Sequence, residues 1–255
     1  MSRWVSRFIL LSLVLLPLLF SGCVGLIAGK PPGPWYTAYE PITDPAVETF
    51  VFQALEKAKV EFGEPTVPVN QVIFRRSRKT EAAENYRIGE HFSMTECIDP
   101  TNGVFVIYIG VDADHKNFYP LLAHECAHLI NAKITDWYME GLATVFSEAI
   151  CEEAGKEWGN WKRHFMRSRV DPYGLSYRMM NDLQSAFPQH YPTLLQFAVS
   201  NGKGAEWMQI DIDAWLATLP AGGVDDALEI IEPHVKVLRR RVNEQYRFAV
   251  PEALQ

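Results

Sequence analysis

The chain has 255 residues, of which 48% are hydrophobic, and it carries a formal net charge of −7 at pH 7. This length allows one domain of ordinary size with a sizeable core. The acidic balance argues against a nucleic-acid-binding protein, so we expect no nucleic acid among its partners.

The first 22 residues have the pattern of an export signal. Arg3 and Arg7 precede an apolar run at 8–20, which is too short for a membrane span of about 20 residues. The run ends in Phe-Ser-Gly-Cys23, which resembles a bacterial lipobox. The resemblance implies cleavage before Cys23 and lipidation of its thiol, which would anchor the protein to a membrane surface. The alternative is an ordinary cleaved signal with an incidental cysteine.

The residue after Cys23 also bears on location. By analogy with bacterial lipoproteins, aspartate there would suggest retention at the inner membrane, and Val24 stands in that position. We therefore expect a lipid-anchored protein of the bacterial cell envelope, attached to the outer membrane and facing the periplasm. Residues 23–43 are rich in proline and glycine and predict a lipidated tether, so residues 44–255 are expected to form the folded domain.

A helix and several strands are predicted before the central motif. Asp44 suits an N-cap and Pro45 the first helical position, and the helix is expected to run to about Phe62. The clearest strand is a continuous apolar run bounded by glycines, which is typical of a well-covered strand. Strands are predicted at residues 67–74, 86–94 and 104–109.

The strongest functional signal lies at residues 121–148. His124 and His128 are four residues apart, so on a helix they lie one turn apart on the same face and can hold one metal ion. Glu140 follows after eleven residues, in a second helix predicted from near residue 138 to about residue 153. Two imidazoles and one carboxylate suit a catalytic Zn²⁺ ion, whose fourth position is left to water.

Glu125 is predicted to be the general base. On a helix it lies about 100° round from His124, beside the metal and not under it. Zinc lowers the pKa of its water towards about 7, and a neighbouring carboxylate can take the proton. These residues therefore indicate metal-assisted amide hydrolysis. Glu148 is an alternative third ligand, but the Glu-Gly-Leu-Ala context favours Glu140.

The motif HECAH followed by WYMEGLA resembles the gluzincin branch of zinc metallopeptidases, and most of all the small peptidase-MA-like domains. The resemblance implies that His124, His128 and Glu140 are the ligands and that Glu125 is the catalytic glutamate. It also implies an α+β, zincin-like fold: a small, mostly antiparallel sheet, an active-site HExxH helix and a helical carboxy-terminal subdomain. The strand at 104–109 is expected to line the cleft and to pair with an extended substrate.

The segment at 171–177 contains two tyrosines. Peptidase-MA-like domains often carry a tyrosine at the start of a helix after the glutamate helix, and Tyr177 fits that pattern better than Tyr173 because an apolar helix follows it. A phenol there could stabilise the oxyanion of a tetrahedral intermediate, or it could simply be packed. His164 and His190 are further candidates for the same role.

Two other patterns leave alternatives open. Trp158, Trp161 and Phe165 recur at helical spacing, which fits either core packing or a lid over the cleft. A last helix is predicted over 225–248, with either a kink or a boundary at Pro233, and it shows no pattern that indicates chemistry.

The cysteines also leave their pairing open. Cys97, Cys126 and Cys151 are an odd number in an oxidising compartment, so we expect one disulfide and one free thiol.

The sequence thus predicts a zinc-dependent peptidase of the cell envelope, with a protein or peptide as substrate. One alternative is a catalytically inactive zincin-like lipoprotein that serves as a binding or scaffold module, although the chain keeps all three ligands and the glutamate. Another is a zinc hydrolase that acts on a different envelope amide.

Overall fold

The computed structural model describes residues 36, 38–77, 93–202, 207–242 and 246–255. The predicted export signal, Cys23 and most of the predicted tether lie outside these residues, as does nearly all of the strand predicted at 86–94. Within the described part of the chain, no helix is long and apolar enough to cross a membrane.

A four-stranded sheet forms one layer of this α+β fold. Its strands are β1 Tyr39–Pro41, β2 Gln71–Ser77, β3 Met94–Asp99 and β4 Val104–Ile109. They lie in the order β1-β2-β4-β3. The two outer pairings, β1 with β2 and β3 with β4, are antiparallel, whereas the central pairing of β2 with β4 is parallel. The sheet is therefore mixed, where the resemblance implied a mostly antiparallel one.

The central strand β4 has the predicted bounds but not the predicted role. All six of its residues are buried, with Phe105 and Ile107 in the main core and Val106 and Tyr108 in a smaller cluster. Because β2 and β3 occupy both of its edges, β4 has no edge left for a substrate strand. The expectation that residues 104–109 pair with a substrate is therefore wrong, and among the described strands β3 lies at that end of the sheet.

Helices form the second layer and the carboxy-terminal half. Asp44 caps the first of them by accepting a hydrogen bond from the main-chain N–H of Ala46 at 2.9 Å, as its sequence predicts. The helices are α1 Pro45–Phe62, α2 Phe118–His128, α3 Trp137–Glu153, α4 Gly159–Arg167, α5 Pro172–Ala186, α6 Ile212–Leu216 and α7 Gly223–Leu238. Short 3-10 helices span Tyr191–Phe197, Arg239–Arg241 and Glu252–Leu254, and a small hairpin joins β5 Ala198–Ser200 to β6 Met208–Ile210.

The carboxy-terminal segment departs from the predicted helix over 225–248. Helix α7 ends at Leu238, and the chain returns to the start of α3. The ring of Tyr246 stacks on Trp137 with centroids 4.6 Å apart, and that of Phe248 stacks on Tyr138 at 5.1 Å. These aromatic contacts hold the segment against α3, so its apolar residues serve this docking and not a helix face.

The cysteines at 97, 126 and 151 are free thiols, so the expected disulfide is not formed. Cys126 in α2 and Cys151 in α3 are buried, and burial raises the pKa of both thiols. They therefore stay uncharged at neutral pH and pack as small apolar groups.

Candidate metal centre

The three ligands predicted from the sequence meet between α2 and α3. Nε2 of His124 lies 3.2 Å from Oε2 of Glu140 and 3.3 Å from Nε2 of His128. Nε2 of His128 lies 3.8 Å from Oε1 of Glu140. One ligand atom from each residue lies within 4.8 Å of the others, and the residues are only 6–9% exposed. This buried group could hold a metal ion.

Asp136 fixes the start of α3 and thereby the position of Glu140. It is fully buried, its Oδ1 accepts a hydrogen bond from the N–H of Met139 at 2.8 Å, and its Oδ2 accepts one from the N–H of Ile210 at 2.5 Å. Burial raises the pKa of Asp136 to about 6. The first contact caps α3 and the second ties the cap to β6. Glu140 follows in the first turn, facing the end of α2.

Thr144 orients the ring of His124. Its hydroxyl donates to the main-chain oxygen of Glu140 at 2.7 Å and lies 3.2 Å from Nδ1 of His124. The Thr144 hydroxyl has a single proton, and it donates that proton to Glu140. Towards Nδ1 of His124 the hydroxyl can therefore only accept a hydrogen bond, so Nδ1 carries the hydrogen. Nε2, the nitrogen that faces Glu140, is then the one available to a metal.

Burial and Glu140 act in opposite directions on the two imidazoles. Burial lowers the pKa of His128 to about 4, which keeps its ring neutral. Burial also opposes protonation of His124, but the hydrogen bond and the charge of Glu140 outweigh it and raise the pKa of His124. Burial opposes ionisation of Glu140 too, yet its hydrogen bond with His124 keeps the pKa of the carboxyl below its ordinary range. Glu140 is thus an anion beside two nitrogen donors.

Glu125 lies next to the three candidate ligands, and a residue of strand β3 contacts it. The hydroxyl of Thr95 on β3 lies 2.9 Å from Oε2 of Glu125 and 2.8 Å from its main-chain oxygen. Burial, with the nearby charge of Glu140, raises the pKa of Glu125 to about 7. A carboxyl group with that pKa can take up and release a proton near neutral pH, which is what a general base requires.

The ligands and Glu125 line a cavity of about 610 Å³, a size typical of small-molecule and peptide sites. Thr95 of β3 borders it on one side, Trp161 and Phe165 of α4 on another, and Tyr246 of the carboxy-terminal segment on a third. Of the two interpretations of the aromatic group, core packing is confirmed, because Trp158 and Phe165 lie in the core and Trp161 packs against it, whereas a lid over the cleft stays a prediction.

The two candidate tyrosines of α5 have different surroundings. Tyr173 lines the cavity, its ring centroid is 6.4 Å from that of His124, and its hydroxyl lies 2.8 Å from that of Tyr246. Tyr177 is not among the cavity residues, and its hydroxyl donates to Glu148 at 2.5 Å. Of the two tyrosines, Tyr173 and not Tyr177 therefore lines the cavity, and the oxyanion role predicted for Tyr177 is not supported by its position.

The remaining candidates lie outside the ligand group. Glu148, the alternative ligand, forms an ion pair with Lys162 at 2.6 Å and accepts from Tyr177. His164 lines the cavity and pairs with Asp171 at 3.3 Å. His190 does not line it, and its main-chain oxygen accepts from the indole of Trp215.

Three residues of the site were not expected from the sequence: Thr95, Thr144 and Tyr246. Thr144 lies four residues after Glu140, on the same helix face, and this spacing is a signal that could have identified it. Thr95 and Tyr246 come from distant segments and carry no such signal.

Comparisons with protein family models, with curated proteins and with solved structures found no match to this chain.

Proposed function

We propose that this protein is a zinc-dependent peptidase of the gluzincin type, with a zincin-like domain at residues 44–255. The observation that carries the proposal is the meeting of His124, His128 and Glu140 in a cavity that Glu125 also lines. Two nitrogen donors, one carboxylate and an adjacent carboxyl group of raised pKa together favour metal-assisted hydrolysis.

The spacing of the donors suits zinc. Atoms held about 2.0–2.1 Å from a zinc ion at tetrahedral angles are about 3.3 Å from one another. Nε2 of His124 lies 3.2 Å from Oε2 of Glu140 and 3.3 Å from Nε2 of His128, both close to that value, whereas Nε2 of His128 lies 3.8 Å from the other oxygen of Glu140, Oε1. Two His and one Glu are also a donor set of catalytic zinc sites, which leave one position open. A zinc ion held here would lower the pKa of water towards about 7 and polarise a carbonyl group.

Glu125 serves as the general base in this proposal. Its carboxylate takes a proton from the attacking water and passes it to the leaving amine, so that the peptide bond breaks without releasing a charged amide. The hydrogen bond from Thr95 holds one carboxylate oxygen and leaves the other for this exchange. In the metal-free protein burial raises the pKa of Glu125 to about 7, so the group can exchange a proton near neutral pH.

Tyr173 donates a hydrogen bond to the carbonyl oxygen as it gains charge. Burial raises the pKa of its phenol, so the hydroxyl keeps its proton. Its partner Tyr246 lies at 2.8 Å and limits the directions in which that hydroxyl can point. Such a preorganised donor contributes about 2.7–4 kcal/mol to the transition state in well-studied hydrolases.

The edge strand supports a peptide as the substrate. Ser93, Met94 and Thr95 line the cavity at the start of β3, and β3 is the end strand of the sheet over the described residues. An extended peptide can add to such an edge through main-chain hydrogen bonds. It would then pass Glu125, which Thr95 contacts directly.

The substitution Glu125→Gln tests the proposal. The variant keeps all three ligands, so elemental analysis of dialysed protein should show near-stoichiometric zinc, as in the wild type. It should not hydrolyse a mixed peptide library. Mass spectrometry of the library detects any cleavage products. Glu152→Gln, which changes an exposed carboxylate on α3, is the matched control and should keep both properties. Full activity of Glu125→Gln, or wild-type protein free of zinc, would refute the proposal.

The same proposal includes a lipid anchor at Cys23 and a place in the bacterial cell envelope, at the outer membrane facing the periplasm. The supporting observation is the lipobox-like sequence at residues 20–23. Metabolic labelling with a fatty-acid analogue should mark the wild-type protein and not Cys23→Ala. Equal labelling of both would exclude lipidation at this residue.

A further inference from the structure

The outer face of α4 bounds a second concavity, of about 460 Å³. Every residue that lines it can donate a hydrogen bond, and none is acidic. The lining consists of two arginines, one imidazole, one hydroxyl and one amide: Asn160, Arg163, His164, Arg167 and Ser168. A concavity of this composition suits an anionic group.

The two arginines have no ion pair within the described part of the chain. Arg163 and Arg167 are exposed and four residues apart on α4, so their Cβ atoms lie about 5–6 Å apart on one face. Lys162 on the same helix, by contrast, is paired with Glu148 at 2.6 Å. Two adjacent guanidinium groups repel each other. The chain as a whole has a net charge of −7, whereas the two arginines make this face of α4 positively charged.

Two acidic residues that contact lining residues of the concavity are engaged by other partners. The carboxylate of Asp171 pairs with His164 at 3.3 Å and accepts from the N–H groups of Tyr173 and Gly174 at the start of α5. The carboxylate of Glu157 accepts from Asn160 at 3.1 Å. Among the described residues, neither carboxylate forms an ion pair with the two arginines. Their charges are therefore available to a ligand.

The concavity adjoins the cavity of the metal centre. Asn160 and His164 line both. The opposite face of the same helix presents Trp161 and Phe165 to the cavity. A molecule that occupies the cavity can therefore extend across the edge of α4 and place one group against Arg163 and Arg167.

We propose that this concavity, which we call the arginine subsite, binds a carboxylate of the peptide that enters the cavity, so that acidic peptides are the preferred substrates. The peptide nature of the ligand rests on the proposed function. A planar guanidinium group binds a carboxylate through two parallel N–H···O bonds, and two such groups on adjacent turns can share one ligand. Acidic residues on the substrate thus supply a carboxylate partner for Arg163 and Arg167, which form no ion pair within the described part of the chain.

Binding to a protein that cannot hydrolyse its ligand tests the arginine subsite. The probes are two fluorescent peptide libraries that differ only in carrying Glu or Gln at one position, titrated by anisotropy into the Glu125→Gln protein. The Glu library should bind about tenfold tighter or better. Adding Arg163→Gln and Arg167→Gln together should remove the difference. Arg169→Gln, an exposed arginine outside the concavity, should preserve it. Thermal unfolding confirms that each variant is folded.

Three results would overturn the arginine subsite. The first is equal binding of the two libraries, and the second is an equal loss of preference in Arg169→Gln. The third is that the protein binds anionic phospholipid vesicles through Arg163 and Arg167 and shows no preference for the Glu library. That result would assign this face of α4 to contact with a membrane surface. Hydrolysis by wild-type protein separates the two proposals: a Glu preference without hydrolysis refutes only the peptidase, and hydrolysis without a Glu preference refutes only the subsite.

Discussion

Gly141 lies directly against the main-chain oxygen of Ser176, where α3 crosses α5. A Cβ added at Gly141 would lie 2.4 Å from that oxygen and 2.5 Å from Cγ of Met180. Real atoms do not approach so closely, so any other residue would force the helices apart. Glu140 is the preceding residue, and the glycine of the Glu-Gly-Leu-Ala motif therefore keeps a ligand helix in place.

We expect Gly141→Ala to destabilise the fold by about 1–3 kcal/mol, as overpacking of a close contact does, and also to weaken metal binding, because α3 must move. Urea unfolding and a zinc titration measure the two effects. Gly159→Ala is the control, since nothing lies within 4 Å of a Cβ there. It should change stability by less than about 1 kcal/mol, in the stabilising direction. Equal stability of the two variants would contradict the packing argument.

Thr144→Val should lower the metal affinity about 10–100-fold, as loss of a partner to a ligand imidazole typically does. Valine keeps the shape of the side chain and removes the hydroxyl that lies 3.2 Å from Nδ1 of His124. Thr144→Ser keeps that hydroxyl and should bind nearly as tightly as the wild type. Competition with a chromophoric chelator gives both affinities. Equal losses in the two variants would show that the methyl group, and not the hydrogen bond, matters.

The grouping of the three candidate metal ligands could be predicted because its signal is local. A spacing of four on one helix brings His124 and His128 together whatever the rest of the chain does. Glu140 follows in the first turn of the next helix, after a connection short enough to bring it back. The start of α1 could be predicted for the same reason, since Asp44 and Pro45 are adjacent in the chain.

The surroundings of the ligands depend on non-local contacts and could not be predicted. Thr95 lies 30 residues before Glu125, and Tyr246 lies 73 residues after Tyr173. Nothing in a strand or tail sequence shows which helix it will meet. The same limit explains why the position of Tyr177 could not be predicted. Tyr177 lies one turn beyond Tyr173 on α5, and its hydroxyl contacts Glu148 instead of the candidate metal ligands.

The role of β4 was missed for a related reason. An apolar run such as VFVIYI shows that a strand is covered on both faces, but it does not show which strands flank it. The pairings of β1 with β2 and of β2 with β4 join segments far apart in the chain, and only that of β3 with β4 is local. The strand β3 is less apolar, and its polar Thr95 contacts Glu125 of α2.

Metal affinity should fall as the pH decreases. His124 has a pKa above its ordinary 6.5 in the metal-free protein, because Glu140 outweighs the effect of burial. A metal must displace the proton of His124, so the Kd for zinc should rise about tenfold for each pH unit below the raised pKa of His124. His128, with a pKa of about 4, adds a second proton only in stronger acid. Zinc titrations from about pH 8 to about pH 5 measure the slope, and a flat profile would contradict competition at His124.

Tyr173→Phe should lower kcat about 10²–10³-fold, because it removes one donor to the developing oxyanion. KM and zinc content should stay near wild-type values, since the ring and its contacts with His124 and Trp137 remain. Tyr177→Phe is the matched control: it also loses one phenol from α5, but that hydroxyl serves Glu148, so kcat should not change. Steady-state kinetics on a peptide selected from the library distinguish the two. A large loss of kcat in Tyr177→Phe with none in Tyr173→Phe would reverse the assignment.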